Sequence, residues 1–277
     1  MINPLKVRFS ALEQVSIYLQ FLLVVLVIVV PIAWMVAAAF KTPSDVTAYP
    51  PRIFFQPTID NFVTLFQTTP FLAYTRNSLI IAGSSTALGL LLAVPAAFAV
   101  SWHRTTWPAL LTLVARMAPG TLFLLPWYIM FTDLRLVGSY WALILTHTVI
   151  TMPVALWILI SHFDEVPKEI QEGALIDGTT VAGAFWLVAL PLVRSGIIVA
   201  SILCFIFSWN YFLFALVLSG FDTKPLTVAA FNFIGEGVTN FGGLMASATL
   251  IALPPLILAF IAQRWLVSGL TFGAVKE

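Results

Sequence analysis

The chain has 277 residues, of which 60% are hydrophobic and only 9% are charged, and its net charge is +1. Soluble domains carry about 25% charged residues, so this composition excludes a soluble protein, which could not cover its surface with polar groups. The small net charge excludes the basic surface that is typical of nucleic-acid binding. Cys204 is the only cysteine, which excludes an intrachain disulfide.

Six apolar stretches are long enough to cross a membrane as helices. A transmembrane helix needs roughly 20 apolar residues to span about 30 Å of hydrocarbon. Because backbone groups cannot stay unpaired in lipid, we predict an all-α integral membrane fold. The stretches cover residues 15–40, 77–102, 107–131, 137–160, 195–221 and 237–263.

The first stretch follows Lys6 and Arg8 and ends in alanines that resemble a signal-peptide cleavage site. Its apolar run is much longer than the roughly 7–15 residues of a signal-peptide core. We therefore expect an uncleaved first span, preceded by a cytoplasmic N-terminus over residues 1–14.

The third stretch contains Arg116, the one charged residue inside a predicted span, followed by Pro119, Gly120 and Pro126. A charge at that depth is costly and usually faces protein or water. One interpretation is a polar contact in a cavity or gate, which would attract an anion if the transported molecule were acidic. The other is an arginine that extends toward the cytoplasmic end of its helix. The prolines also have two interpretations. Either neighbouring helices supply hydrogen bonds to the backbone carbonyls that a proline leaves unpaired, or the helix is broken and lines a cavity.

The loops between the spans indicate the orientation. With six spans, the loops at 41–76 and 220–236 lie on one side, and the acidic loop at 162–194 lies with both termini on the other. Seven lysines and arginines fall on the side of the termini and five on the opposite side. The positive-inside rule therefore predicts cytoplasmic termini.

The acidic loop reads as two short helices that meet at a tight turn. Pro167 and Glu169 suit the first turn of a helix, and Gly178 suits a left-handed stop. Thr179 or Thr180 can cap a second helix that runs to about Leu190. The small residues near the turn let another backbone approach closely, which fits a groove on a partner. A solvated surface helix with a glycine stop explains the same pattern.

The same loop resembles the cytoplasmic pattern of binding-protein-dependent ABC importer permeases. Gly173 stands where those proteins usually have alanine, and Ser195 stands where they usually have proline. The matching residues are Glu172, Gly173, Ala174, Asp177, Gly178, Phe185, Leu190 and Pro191.

Three further segments are similar to the maltose-type sugar permeases, and specifically to their six-span subunit. Residues 209–216 match a run of that family in which Tyr211 replaces an acidic residue. Arg116, Met117, Pro119 and Pro126 match its third span, and residues 263–276 match its C-terminal tail. The resemblance implies the fold of a type I importer. It implies a permease domain over residues 15–268, a coupling loop over 162–194 and a cytoplasmic tail over 269–277 in a bacterial inner membrane.

The resemblance also implies partners and roles. It implies a second permease subunit, an ATPase dimer and a soluble binding protein that delivers a sugar or sugar derivative. It implies that Glu172 anchors the loop on the ATPase by polar contacts, that Ala174 and Gly178 permit close approach, and that Asp177 holds the turn. The sequence has no phosphate-binding Gly-rich motif, so we expect no ATPase activity in this chain. ATP and magnesium would be bound by the partner, and we expect no cofactor or metal here.

The substrate path is less specified. Trp209, Asn210 and Tyr211 offer an aromatic ring and hydrogen-bonding groups for a sugar, together with Arg116. Helix packing, with Asn210 bonded to a neighbouring span, explains the same residues. Two other functions fit less well. A permease for a non-sugar solute would share the loop, and an ion-driven transporter would need acidic residues inside the spans, which the six stretches lack.

Overall fold

The computed structural model describes residues 10–233 and 240–273, without the side chains of residues 11, 232 and 264–273. All regular secondary structure in these residues is helical. The backbone forms two compact units, Met1–Thr68 with Phe233–Leu250 and Thr69–Asn232 with Ile251–Glu277. The predictions that concern Lys6, Arg8 and the last residues of the C-terminal tail lie outside the described residues.

The first unit is dominated by one long apolar helix, α1 (Ala11–Ala39). A capping box starts it: the N–H of Glu13 donates to Ser10 Oγ at 3.3 Å, and the N–H of Ser10 donates to Glu13 Oε2 at 2.7 Å. Only 6% of its most apolar 18-residue segment is buried. The helix therefore presents apolar side chains all round, as a helix in lipid does. The unit also contains α2 (Pro43–Val46) and α3 (Asp60–Thr68).

A buried lysine folds the following loop back onto the end of α1. Lys41 is 2% exposed, and its Nζ donates to the carbonyl oxygen of Arg52 at 2.6 Å and lies 4.1 Å from the ring centroid of Trp34. Arg52 pairs with Asp45 at 2.6 Å. The pKa of Asp45 is lowered because the hydroxyl of Thr42 and the guanidinium of Arg52 both donate to its carboxylate. These polar contacts hold the two ends of the loop at residues 41–52 together.

The centre of the second unit is formed by three helices, α4 (Phe71–His103), α7 (Tyr140–Asp164) and α11 (Arg194–Asn210), which pack against one another. A buried polar cluster joins all three: Ser208 Oγ lies 2.8 Å from Nδ1 of His147 and 2.9 Å from Oγ of Ser85. Alanines with no exposed surface let the helices approach closely, namely Ala93 and Ala97 in α4, Ala155 in α7 and Ala200 in α11.

Shorter helices complete this unit and are interrupted at several points. They are α5 (Trp107–Met117), α6 (Gly120–Asp133), α8 (Lys168–Ile176), α9 (Val181–Ala184), a π-helical turn (Phe185–Ala189), α10 (Leu190–Leu192), α12 (Leu213–Leu218), α13 (Leu226–Ala230) and a 3₁₀ turn (Phe231–Phe233). A last helix, α14 (Phe241–Gly273), begins in the first unit and ends in the second.

Four of the described helices are long and apolar enough to cross a membrane alone, namely α1, α4, α7 and α14. Two bent pairs raise the number of candidate spans to six: α5 with α6, bent by 92°, and Val181–Leu192 with α11, bent by 74°. The chain is therefore an all-helical membrane protein with four to six candidate spans. The division into six particular spans stays a prediction.

Two predicted stretches are not continuous helices. The third breaks at Ala118, whose backbone is extended (φ −64°, ψ 130°), followed by Pro119, which has no N–H to donate. In the fifth, α11 ends at Asn210 because Tyr211 is extended (φ −76°, ψ 120°). Both breaks lie beside the cavity described below.

Candidate functional site

The loop between α7 and α11 forms a helix pair joined by a tight turn. The N–H of Gly178 donates to the carbonyl of Leu175 at 3.0 Å, and Gly178 has φ +89°, which only glycine adopts without steric cost. After the turn, Thr180 Oγ1 accepts a hydrogen bond from the N–H of Gly183 at 3.1 Å and caps α9. The predicted helix pair, its glycine turn and its threonine cap are confirmed, although α9 continues as a π-helical turn instead of one regular helix.

The tip of this loop is open to the surroundings. A Cβ added at Gly173 or Gly178 would meet no described atom within 4 Å. Ile176 is 86% exposed, so the tip also presents an apolar side chain. The tip is accessible to another protein over residues that are exposed or partly exposed, namely Glu172, Gly173, Ala174, Ile176, Asp177 and Gly178.

The C-terminal end of the helix pair packs into the hydrophobic core. Phe185 is 8% exposed, and its ring centroid lies 5.0 Å from that of Phe98 in α4 and 6.5 Å from that of Phe163 in α7. Leu190 is partly buried against the same cluster, whereas Pro191 is exposed at the start of α10. The predicted loop residues thus include an exposed tip and a buried Phe185 that packs against α4 and α7.

Two residues at the base of the loop were missed by sequence reasoning. Lys168 Nζ donates to the carbonyl of Trp102 at 3.5 Å, which ties α8 to the end of α4. At Gly196 a Cβ would lie 2.4 Å from Cγ of His162, so α11 approaches α7 closely only because this residue is glycine. A lone glycine in an apolar stretch carries no signal of such an approach.

A cavity of about 580 Å³ lies in the second unit, beside the two helix breaks. Its wall is mostly apolar and aromatic, which is typical of ligand sites. The lining residues are Leu92, Thr112, Ala115, Arg116, Ala118, Gly120, Phe123, Trp127, Thr148, Val149, Ile150, Met152, Pro153, Tyr211 and Phe214. The broken-helix interpretation of Pro119 and Gly120 is therefore favoured over a simple kink.

Arg116 and Tyr211, both predicted for the substrate path, line this one cavity. The guanidinium carbon of Arg116 lies 5.6 Å from the ring centroid of Phe207, a cation–π contact. The ring of Tyr211 stacks on Phe214 at 5.6 Å, and Phe214 stacks on Trp127 at 4.8 Å. The structure thus adds Trp127 and Phe214, an aromatic wall that the sequence did not single out.

Trp209 and Asn210 do not line the cavity. Trp209 is 2% exposed, and its Nε1 donates to the carbonyl of Ile251 at 3.1 Å, so it joins α11 to α14. Asn210 is exposed, and its Nδ2 donates to the carbonyl of Ile206 at 2.9 Å, within its own helix. The geometry therefore favours the packing interpretation for Trp209, and Asn210 is bonded within its helix instead of to a neighbouring span.

Residues 46–272 match the family described as binding-protein-dependent transport system inner membrane component. The chain belongs to this family. A trehalose/maltose transport system permease protein of Thermococcus litoralis is 30% identical over 280 residues, 97% of this chain and 99% of the relative. A diacetylchitobiose uptake system permease protein of Streptomyces coelicolor is 34% identical over 257 residues, 90% and 92% respectively.

A third relative and a solved structure extend the comparison. A sulfoquinovosyl glycerol transport system permease protein of Agrobacterium fabrum is 34% identical over 254 residues, 89% of this chain and 88% of the relative. The fold matches a chain of a bacterial ABC transporter involved in the import of the acidic polysaccharide alginate. The TM-score is 0.76 at 17% identity, covering 93% of this chain and 98% of that one.

As a member of this family the chain is a multi-pass inner-membrane permease subunit of an ABC importer, which works with a substrate-binding protein. The permease is not itself an ATPase and carries no cofactor, because ATP is bound by the partner ATPase. The resemblance drawn from the loop and the tail is therefore confirmed.

Proposed function

We propose that this permease subunit imports a sugar or a sugar derivative. The observation that carries the proposal is the aromatic cavity at the two helix breaks, where Tyr211, Phe214 and Trp127 stack in one wall. Aromatic rings offer flat apolar surfaces to the C–H faces of a sugar, and polar tips offer hydrogen bonds. The three relatives described above are named for sugars or sugar derivatives, which supports the same substrate class.

The proposed coupling site is the exposed tip of the α8–α9 pair. Glu172 and Asp177 supply polar groups for an ATPase surface, and the exposed Ile176 supplies an apolar one. Ala174 and Gly178 keep the tip small enough for close docking. Closure of the ATPase on ATP would move the docked pair, and Phe185 would pass that movement to α4 and α7. ATP shifts the permease between states only as far as its binding differs between them.

The proposed assembly has this chain with a second permease subunit, two ATPase subunits and the binding protein. We further propose six spans with both termini in the cytoplasm, which puts the α8–α9 pair on the side of the ATPase. The cavity would then be reached from the opposite side by substrate that the binding protein delivers. In this assembly the ATPase acts on the tip, and the cavity holds the substrate.

Reconstitution tests the proposal directly. The complete importer, placed in proteoliposomes with its binding protein outside and ATP inside, should accumulate a radiolabelled sugar, and uptake should stop when ATP is replaced by ADP. Measuring the uptake of sugars, amino acids and phosphate by the same proteoliposomes shows which class of solute is transported. ATP-dependent uptake of an amino acid or phosphate, with none of any sugar, would overturn the sugar assignment in favour of a non-sugar permease.

A further inference from the structure

The charge of the cavity is unbalanced. Of its fifteen lining residues, Arg116 alone is charged, and no carboxylate is among them. Among the residues that the structure describes, Arg116 forms no ion pair, since the one salt bridge found joins Arg52 and Asp45. Its contact is the ring of Phe207, which is apolar and leaves the positive charge uncompensated. Arg116 is exposed, and a charge in a predicted membrane span usually faces protein or water and pairs with another charge, so its guanidinium is available to a counter-ion.

The remaining polar groups of the cavity do not restore a negative charge. The hydroxyls of Thr112 and Thr148 donate to backbone carbonyls, Thr112 to Ala109 at 2.7 Å and Thr148 to Ile144 at 2.7 Å. The hydroxyl of Tyr211 has no hydrogen-bond partner in the described part of the chain. The threonine hydroxyls can therefore only accept from a ligand, whereas the guanidinium of Arg116, the phenol of Tyr211 and the indole N–H of Trp127 can donate, and of these groups only the guanidinium is charged.

Tyr211 is the second side chain of the cavity that decides its charge balance, because its ring is neutral and lies in the same wall as Arg116. A carboxylate there would bring a negative charge to the wall that holds Arg116. Gly120 makes room for the tyrosine, because a Cβ at residue 120 would lie 2.9 Å from the Tyr211 hydroxyl oxygen. Residue 211 thus brings a neutral ring, held by Phe214, to the wall that contains Arg116.

We propose that this cavity selects a sugar that carries an anionic group, a carboxylate or a sulfonate, with Arg116 and Tyr211 as the specificity-determining residues. The sugar ring lies against the aromatic wall, and the guanidinium pairs with the anion. Charge-assisted hydrogen bonds of this kind are roughly twice as strong as neutral ones, and arginine presents them in a planar fork. The inference rests on the proposed function, because it names the substrate class of the same cavity.

The test compares two ligands that differ only at C6, methyl β-glucuronide and methyl β-glucoside. Binding to the purified importer without its binding protein is measured by saturation-transfer NMR. We expect the wild type to bind the glucuronide at least about tenfold more tightly, the gain that a charged hydrogen bond provides. Arg116→Gln should remove this preference, Arg116→Lys should keep part of it, and Tyr211→Glu should remove it because its carboxylate neutralises the charge of Arg116. Arg135→Gln, which removes an exposed arginine outside the cavity, should leave it unchanged.

Several results would overturn the inference. Equal binding of the two glycosides by the wild type, or binding of neither, contradicts it, as does a preference that survives Arg116→Gln. The inference is also wrong if the wild type binds both glycosides equally and Arg116→Gln releases the second permease subunit from the complex. Arg116 would then pair with that subunit and not with substrate. A complex that accumulates sugars but shows no preference for the anion leaves the proposed function standing. A complex that accumulates no sugar overturns the proposed function itself.

Discussion

Substitutions of Gly178 test the coupling loop most directly, because the effect of its positive φ can be distinguished from the effect of side-chain volume. At φ +89° an L-residue costs about 1–2 kcal/mol, so alanine should shift the equilibrium between the native turn and other loop conformations about 5–30-fold against the turn. A Cβ at this position meets no described atom within 4 Å, so the cost is conformational and not steric. Asparagine tolerates the left-handed region better than alanine, and Gly178→Asn should retain more function than Gly178→Ala.

The assay is sugar uptake by proteoliposomes, together with the ATPase rate that the binding protein stimulates. Gly178→Ala should reduce both, by at most about 5–30-fold, while the complex is still recovered from the membrane. The matched control is Gly173→Ala, one turn earlier in α8, where the added Cβ also meets nothing and alanine is the better helix former. Wild-type uptake in Gly178→Ala, or an equal loss in Gly173→Ala, would refute the reasoning. A larger loss with Asn than with Ala would show that volume at the docking face, not backbone conformation, is limiting.

Three further predictions concern packing and the loop after α1. Gly196→Ala should destabilise the complex by about 1–3 kcal/mol, because its Cβ would overlap His162; the thermal unfolding midpoint in detergent measures this, and an unchanged midpoint would contradict it. Lys41→Met should speed hydrogen exchange in residues 41–52, because the bond to the Arg52 carbonyl is lost; unchanged exchange would show that the loop does not depend on that bond. The pKa of Asp45 in the folded protein lies below its ordinary value of 3.8. The ionised carboxylate therefore stabilises the loop fully above pH 3.8, and this stabilisation is lost as the pH falls through the lowered pKa. Protection of the loop should therefore fall on acidification in the wild type and change much less in Asp45→Asn, and equal acid sensitivity of the two would contradict it.

Patterns that depend on a few neighbouring residues predicted much of the molecule. The apolar stretches predicted the helical membrane fold, because lipid forces backbone groups to pair within a helix. The acidic loop predicted a turn at Gly178 and a cap at Thr179 or Thr180, because these features depend on local backbone and side-chain chemistry. For the same reason the loop motif was sufficient to indicate the importer family.

Features that depend on distant residues were not predictable. The cavity forms where the break at Ala118 meets the break at Tyr211, and neither break reveals the other in the sequence. Trp209 looked like a substrate contact beside Tyr211, yet its indole is buried and bonded to another helix. The buried amine of Lys41 depends on the carbonyl of a residue eleven positions away and on a ring in the preceding helix. Such contacts are set by tertiary packing.

The most direct test of the account is a crosslink from the tip of the α8–α9 pair. Cys204, the only cysteine, is buried, so Cys204→Ser gives a background without thiols in this chain, and Ile176→Cys then places one on the exposed tip. The account predicts that a short bifunctional maleimide joins this cysteine to the ATPase subunit in native membranes, with a yield that changes when ATP is added. Labelling of the cysteine only from the side opposite the ATPase, or crosslinks to no nucleotide-binding subunit, would contradict it.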